Sequence, residues 1–99
     1  MSKVYISLPI TGHDIEKQRR KAAVMAAILA CMYYEPVNPF TNGLAETDSW
    51  EAHLDKDLAM LRECDMIAFA SGWETSKGCV LEAEKAVEWN IPTLDINFW

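Results

Sequence analysis

The segment Asp65-Met66-Ile67-Ala68-Phe69-Ala70 (DMIAFA) places five apolar residues in a row with no polar alternation. A strand of that kind buries both faces, the condition of a strand inside a parallel sheet covered by helices on either side. The remaining segments supply what such a sheet needs. Lys3 to Leu8, β-branched and aromatic and stopped by Pro9, reads as a first strand. From Ile15 to about Met32 the apolar residues Ala22, Met25, Ala26, Leu29 and Met32 recur at helical steps, with Asp14 placed to cap the start. The two prolines of YYEPVNPF suit a short edge strand. Trp50, Leu54, Leu58 and Leu61 form the stripe of a second helix, from about Ser49 to Glu63, with Asp48 as its expected N-cap and Glu51 completing a capping box. A third helix is predicted over Cys79 to Asn90, and a last strand over Ile91 to Ile96.

Strands that alternate with helices predict an α/β fold with right-handed crossovers. The expected architecture is a flavodoxin-like three-layer sandwich with a short parallel sheet, about four strands in the order 2-1-3-4, and helices on both faces. The chain has 99 residues, 51% of them apolar, which suits one domain over residues 1–99 with a real core.

Charge and motifs narrow the function. A formal net charge of -6 argues against a nucleic acid polymer as partner, because phosphate-backbone footprints are basic. No apolar run approaches membrane-spanning length and no signal peptide precedes Lys3, so no membrane partner is expected. The three cysteines, Cys31, Cys64 and Cys79, lack C-x-x-C spacing and sit in apolar settings, which reads as reduced thiols and a cytoplasmic location. His13 and His53 have no metal-ligand spacing, and neither a P-loop nor Gly-x-Gly-x-x-Gly is present, so no metal or cofactor is expected.

In open parallel sheets, ligands bind beyond the C-terminal ends of the strands, where strand order reverses. That rule brings LPITGHD, NPFTNG and SGWETSKG to one crevice. Glu82 follows the last of these loops and stands among Cys79, Leu81 and Ala83, where a carboxylate must be paired, protonated or used. Its plain alternative is an ordinary acid at a helix start, favoured by the dipole. Helical spacing separates it from Glu84, which falls with Glu88 on the solvent face. Asp57 projects from the stripe of Trp50 and Leu58 and needs a partner, for which His53 stands one turn back. Ser76, Lys77 and Gly78 before the third helix are placed to cradle an anion, or to act only as a cap and a surface charge. Cys79 reads as a core thiol rather than a nucleophile. Trp73, beside Gly72, serves either as an aromatic wall or as a lid packed on the core.

Together KVYISLPITG, Asp57-Leu58, CDMIAFASGW and SKGCVLEAEKA resemble the nucleoside 2-deoxyribosyltransferase superfamily, in particular its small bacterial and phage branch. The resemblance runs from Lys3 to about Leu94, and its most specific piece is Gly78 followed four residues later by Glu82. It implies Glu82 as nucleophile and Asp57 close to the bound nucleoside, with Tyr5 as a further hydrogen-bonding group. Transferases of the family often carry an aspartate two residues before the glycine. Ser76 stands there instead, as in the similar 2'-deoxynucleoside 5'-monophosphate N-hydrolases, whose serine contacts the 5'-phosphate. Leu8 is a second departure, since relatives often have a glycine there.

The expected function is therefore cleavage or transfer of the N-glycosidic bond of a 2'-deoxynucleoside or its 5'-monophosphate, with hydrolysis ahead of transfer. Ser76, Gly78, Thr11 and Gly12 are expected to receive a phosphate, Pro9 and Ile10 to border the sugar or phosphate, and Phe40 and Trp73 to border the base. Relatives complete their pockets from a neighbouring subunit, and Phe98 and Trp99 suit a contact of that kind, so a homodimer or an assembly of dimers is expected. Two other readings share the fold: a non-catalytic nucleotide-sensing module, and a flavin-binding electron carrier.

Overall fold

The computed structural model describes residues 1–95. Strand β1 (Lys3–Ser7) is followed by helix α1 (Ile15–Cys31), strand β2 (Glu35–Val37), a 3-10 turn (Pro39–Thr41) and helix α2 (Trp50–Arg62). Strand β3 (Met66–Phe69), a second 3-10 turn (Trp73–Thr75) and helix α3 (Lys77–Glu88) complete the order. The sheet has the order β2-β1-β3, and both pairings are parallel. The register sets Tyr5 between Val37 and Ile67.

The fourth strand expected over Ile91 to Ile96 is reduced, among the described residues, to one parallel bridge between Ile67 and Thr93. The bridge uses Ile67 N–H to Pro92 O (3.0 Å) and Leu94 N–H to Ile67 O (2.8 Å). Pro92 has no N–H to carry the ladder back toward the strand start, and Ile96, Phe98 and Trp99 lie outside the described residues. The position beside β3 is the one the order 2-1-3-4 requires.

The central strand separates two clusters of core residues. On one side Val4, Ile6 and Leu8 meet Ala22, Met25 and Leu29 of α1. On the other, Tyr5 meets Leu61 of α2, Ile67 of β3 and Ala86 of α3. Alternate residues of one strand thus point to opposite helical layers, as strand geometry demands. Each fully buried large apolar side chain contributes about 1.5–3 kcal/mol.

Helix boundaries depart from the sequence reading in instructive ways. The N-cap of α2 is Ser49, whose Oγ accepts from Ala52 N–H (3.1 Å). Asp48 instead accepts from Ala45 N–H (2.7 Å), closing the loop before the helix. Helix α3 starts at Lys77 rather than Cys79, because Ser76 caps it by accepting from Cys79 N–H (3.4 Å). Asp14 caps α1 through Glu16 N–H (3.0 Å). Met32, expected inside the stripe of α1, is its C-cap and is 44% exposed. Cys31 is exposed as well, while Cys64 and Cys79 are buried. No helix among the described residues is long and apolar enough to cross a membrane.

Candidate active site

A cavity of about 290 Å³ opens at the C-terminal ends of the strands. That is near the lower end of small-molecule pockets, roughly 300–1,000 Å³. Its floor is set by β1. Tyr5 and Ser7 lie two residues apart and so face the same side, toward α3. Both reach Glu82: Tyr5 Oη donates to Oε2 at 2.5 Å, and Ser7 Oγ donates to Oε1 at 2.7 Å. Tyr5 and Ser7 have no exposed surface, and Glu82 keeps 6%.

Burial pushes the Glu82 carboxyl up to about 7, against the pull of the Tyr5 and Ser7 hydrogen bonds, and the charge of Asp57 adds to the rise. A hydroxyl donor on each oxygen favours the anion, so the site holds Glu82 near the midpoint between its two forms. Burial also holds the Tyr5 phenol well above its ordinary value, with the neighbouring Glu82 next in importance, so Tyr5 remains a donor. Cys79 is raised by burial too, which makes it an inert thiol beside the site.

Asp57 approaches from α2. Its Oδ1 accepts from Asn42 Nδ2 at 2.9 Å, and the same nitrogen lies 3.1 Å from His53 Nδ1. Burial raises Asp57 to about 6, and the Asn42 hydrogen bond opposes that rise. Asp57 and Glu82 both line the cavity, with Tyr5, Ser76, Gly78, Thr11, Ile10 and Phe40. Glu84, by contrast, is exposed.

Three residues expected at the ligand are not among those lining the cavity. Pro9 is buried, and its carbonyl accepts from Gln18 Nε2. Gly12 is exposed and forms the turn into α1 with φ 83°, a left-handed value that favours glycine. Trp73 stacks on Phe69 with ring centroids 4.4 Å apart, since Gly72 at φ 85° folds the loop back over β3. Leu8, the departure from the family's glycine, both packs in the α1 cluster and borders the cavity.

Several lining residues were not anticipated. The Arg19 guanidinium lies 4.9 Å from the centroid of the Phe40 ring and bonds Glu46 (2.5 Å) from the loop before α2. Trp50 also lines the cavity, and Lys77 Nζ, outside the lining, lies 5.0 Å from the centroid of its ring, joining the first turns of α3 and α2. Asn42 carries no sequence signal beyond its place in NPFTNG, because its role comes from contacts to α2. Among the described residues, no three His, Cys, Asp or Glu side chains are grouped to hold a metal.

The family described as a domain of unknown function, DUF4406, matches residues 2–94. No protein of curated function matches the chain. A solved structure of the 2-deoxyribosyltransferase from the psychrotolerant bacterium Bacillus psychrosaccharolyticus is similar, with a TM-score of 0.70 at 17% identity. The similarity covers 93% of this chain and 69% of that one. The chain therefore belongs to the DUF4406 family and has the fold of a nucleoside 2-deoxyribosyltransferase.

Proposed function

We propose that the protein cleaves or transfers the N-glycosidic bond of a 2'-deoxynucleoside or its 5'-monophosphate through a covalent glycosyl-Glu82 intermediate, with hydrolysis favoured over base transfer. The observation that carries this reading is the Glu82 carboxylate, buried at the cavity and held by Tyr5 and Ser7 with a second carboxyl, Asp57, lining the same space.

The proposed chemistry follows the two-step logic of retaining glycosidases. Ionised Glu82 attacks C1' as the base departs, and an oxocarbenium-like transition state is met by a carboxylate in a water-poor site. Asp57 supplies a proton to the leaving base. Tyr5 fixes the attacking carboxylate. Ser76, Gly78, Thr11 and Ile10 border the sugar and its 5' substituent, and Phe40 borders the base. The preference for water as acceptor rests on Ser76, which replaces the aspartate common in transferases. A homodimer in the cytoplasm belongs to the same reading.

The test follows free base by chromatography. Wild type and Glu82→Gln are incubated with the deoxynucleosides and their 5'-monophosphates, with and without a second base. Base release by wild type alone is expected. Base exchange in place of release would assign transfer, and tight nucleotide binding with no turnover would assign a sensing module.

A further inference from the structure

We propose that Asn42 is a positioning residue that dictates which oxygen of Asp57 carries the proton given to the leaving base. The inference rests on the glycosidic reading of the site.

Asn42 is 6% exposed, and its amide orientation is fixed from behind, because Leu44 N–H donates to Oδ1 at 2.9 Å. The nitrogen end must therefore face α2. Its two hydrogens go to Asp57 Oδ1 at 2.9 Å and to His53 Nδ1 at 3.1 Å. With Nδ1 accepting, the ring proton of His53 sits on Nε2, which lies 2.8 Å from the Ala45 carbonyl and donates to it. The Asn42 amide thus has no remaining hydrogen to offer and no freedom to rotate without leaving a buried group unpaired.

A neutral carboxyl has one carbonyl oxygen and one hydroxyl. The oxygen that accepts from Asn42 is the carbonyl, so the proton resides on Oδ2. Asp57 lines the cavity, and with Oδ1 engaged by Asn42 the proposal gives Oδ2 to the ligand. In the first step the C1'–N bond breaks with its electron pair going to the base nitrogen. The Oδ2 proton moves to the base, and a Glu82 oxygen bonds C1'. In the second step water bonds C1' and gives a proton to Asp57, and the C1'–O bond returns its pair to Glu82. Asp57 ends protonated at Oδ2 and the cycle closes.

The test uses Asn42→Ala, with Asn42→Asp as a variant that keeps the side-chain volume and the acceptor for Leu44. The Asp57 carboxyl is titrated by carbon-13 NMR without substrate, and base release is followed from 2'-deoxyadenosine and from 7-methyl-2'-deoxyguanosine. The cationic base of the second substrate leaves without a proton. In both variants the Asp57 midpoint should rise: Asn42→Ala loses a bond favouring the ionised form, and Asn42→Asp also sets a second carboxyl against Asp57. For 2'-deoxyadenosine, kcat should fall about 10- to 100-fold with KM within about threefold, while the methylated substrate changes less than about threefold. An unmoved midpoint in either folded variant overturns the proposal, and so does an equal loss on both substrates. If wild type releases no base, the glycosidic reading fails by itself. The titration then decides whether Asn42 holds Asp57.

Discussion

Tyr5 and Glu82, 77 residues apart in the chain, meet through a 2.5 Å hydrogen bond from phenol to carboxylate. Both groups are buried, and Ser7 Oγ supplies the second donor to the carboxylate. Tyr5→Phe removes one of the two donors that offset the desolvation of Glu82. Hydrogen bonds to charged groups contribute about 1.5–3 kcal/mol, so kcat/KM should fall roughly 10- to 100-fold. The acid limb of the pH–rate profile should also move to higher pH. An unchanged rate and limb in steady-state assays would falsify the role given to Tyr5.

Stability should depend on pH through Glu82. Its folded value, about 7, lies above the ordinary 4.5. Between these values the folded chain binds a proton that the unfolded chain has released. Stability is therefore fully present below about 4.5 and is lost as pH rises through about 7. The whole gap corresponds to about 3 kcal/mol as a ceiling. Glu82→Gln keeps an acceptor and a donor for the two hydroxyls and carries no charge. Urea denaturation should find it more stable than wild type at pH 8 and nearly equal to it at pH 5; the reverse order would remove Glu82 as the source.

Activity should follow a narrow bell. The proposed chemistry needs one proton shared by the Glu82–Asp57 pair, whose members are held at about 7 and about 6. Because the two interact, the values belong to the pair. The maximum of kcat/KM should fall between about pH 6 and 7, with decline on both sides. A rate that climbs without a maximum to pH 9 would exclude a proton-donating partner.

Gly78 offers a separation of stability from activity. A Cβ placed there meets no atom within 4 Å, and the residue lines the cavity in the first turn of α3. Gly78→Ala should stabilise the protein by up to about 1 kcal/mol through helix propensity. It should also raise KM, because the methyl group enters the space a ligand fills. Thermal melts and steady-state kinetics on one preparation report both effects, and unchanged KM would place the ligand elsewhere.

The sheet order and the crevice were legible because strand and helix periods differ so plainly in DMIAFA and in Trp50 to Leu61. The oddity of Glu82 in an apolar stripe was legible for the same reason. What escaped were features made by contacts between segments. Ser49 rather than Asp48 caps α2 because Asp48 is engaged by Ala45 N–H. Trp73 leaves the cavity because Phe69 offers it a ring face. Val24 and Ile28 extend the apolar surface of α1 around to its exposed side, which blurs the stripe that Met32 was expected to join. Asn42 and Arg19 gain partners from other segments at the cavity, Asp57 and Glu46.

The alternation along β1 links assembly of the sheet to the chemistry it carries. Tyr5 and Ser7 face Glu82, whereas Val4 and Ile6 face α1. A one-residue slip of this strand would turn Val4 and Ile6 toward Glu82 and leave the carboxylate without a hydroxyl on either oxygen. The same slip would press a phenol and a serine hydroxyl into the apolar layer under α1. A mispaired chain is thus penalised on both faces at once, so the residues that make the site reactive also act as a proofreading device for the register of the central strand.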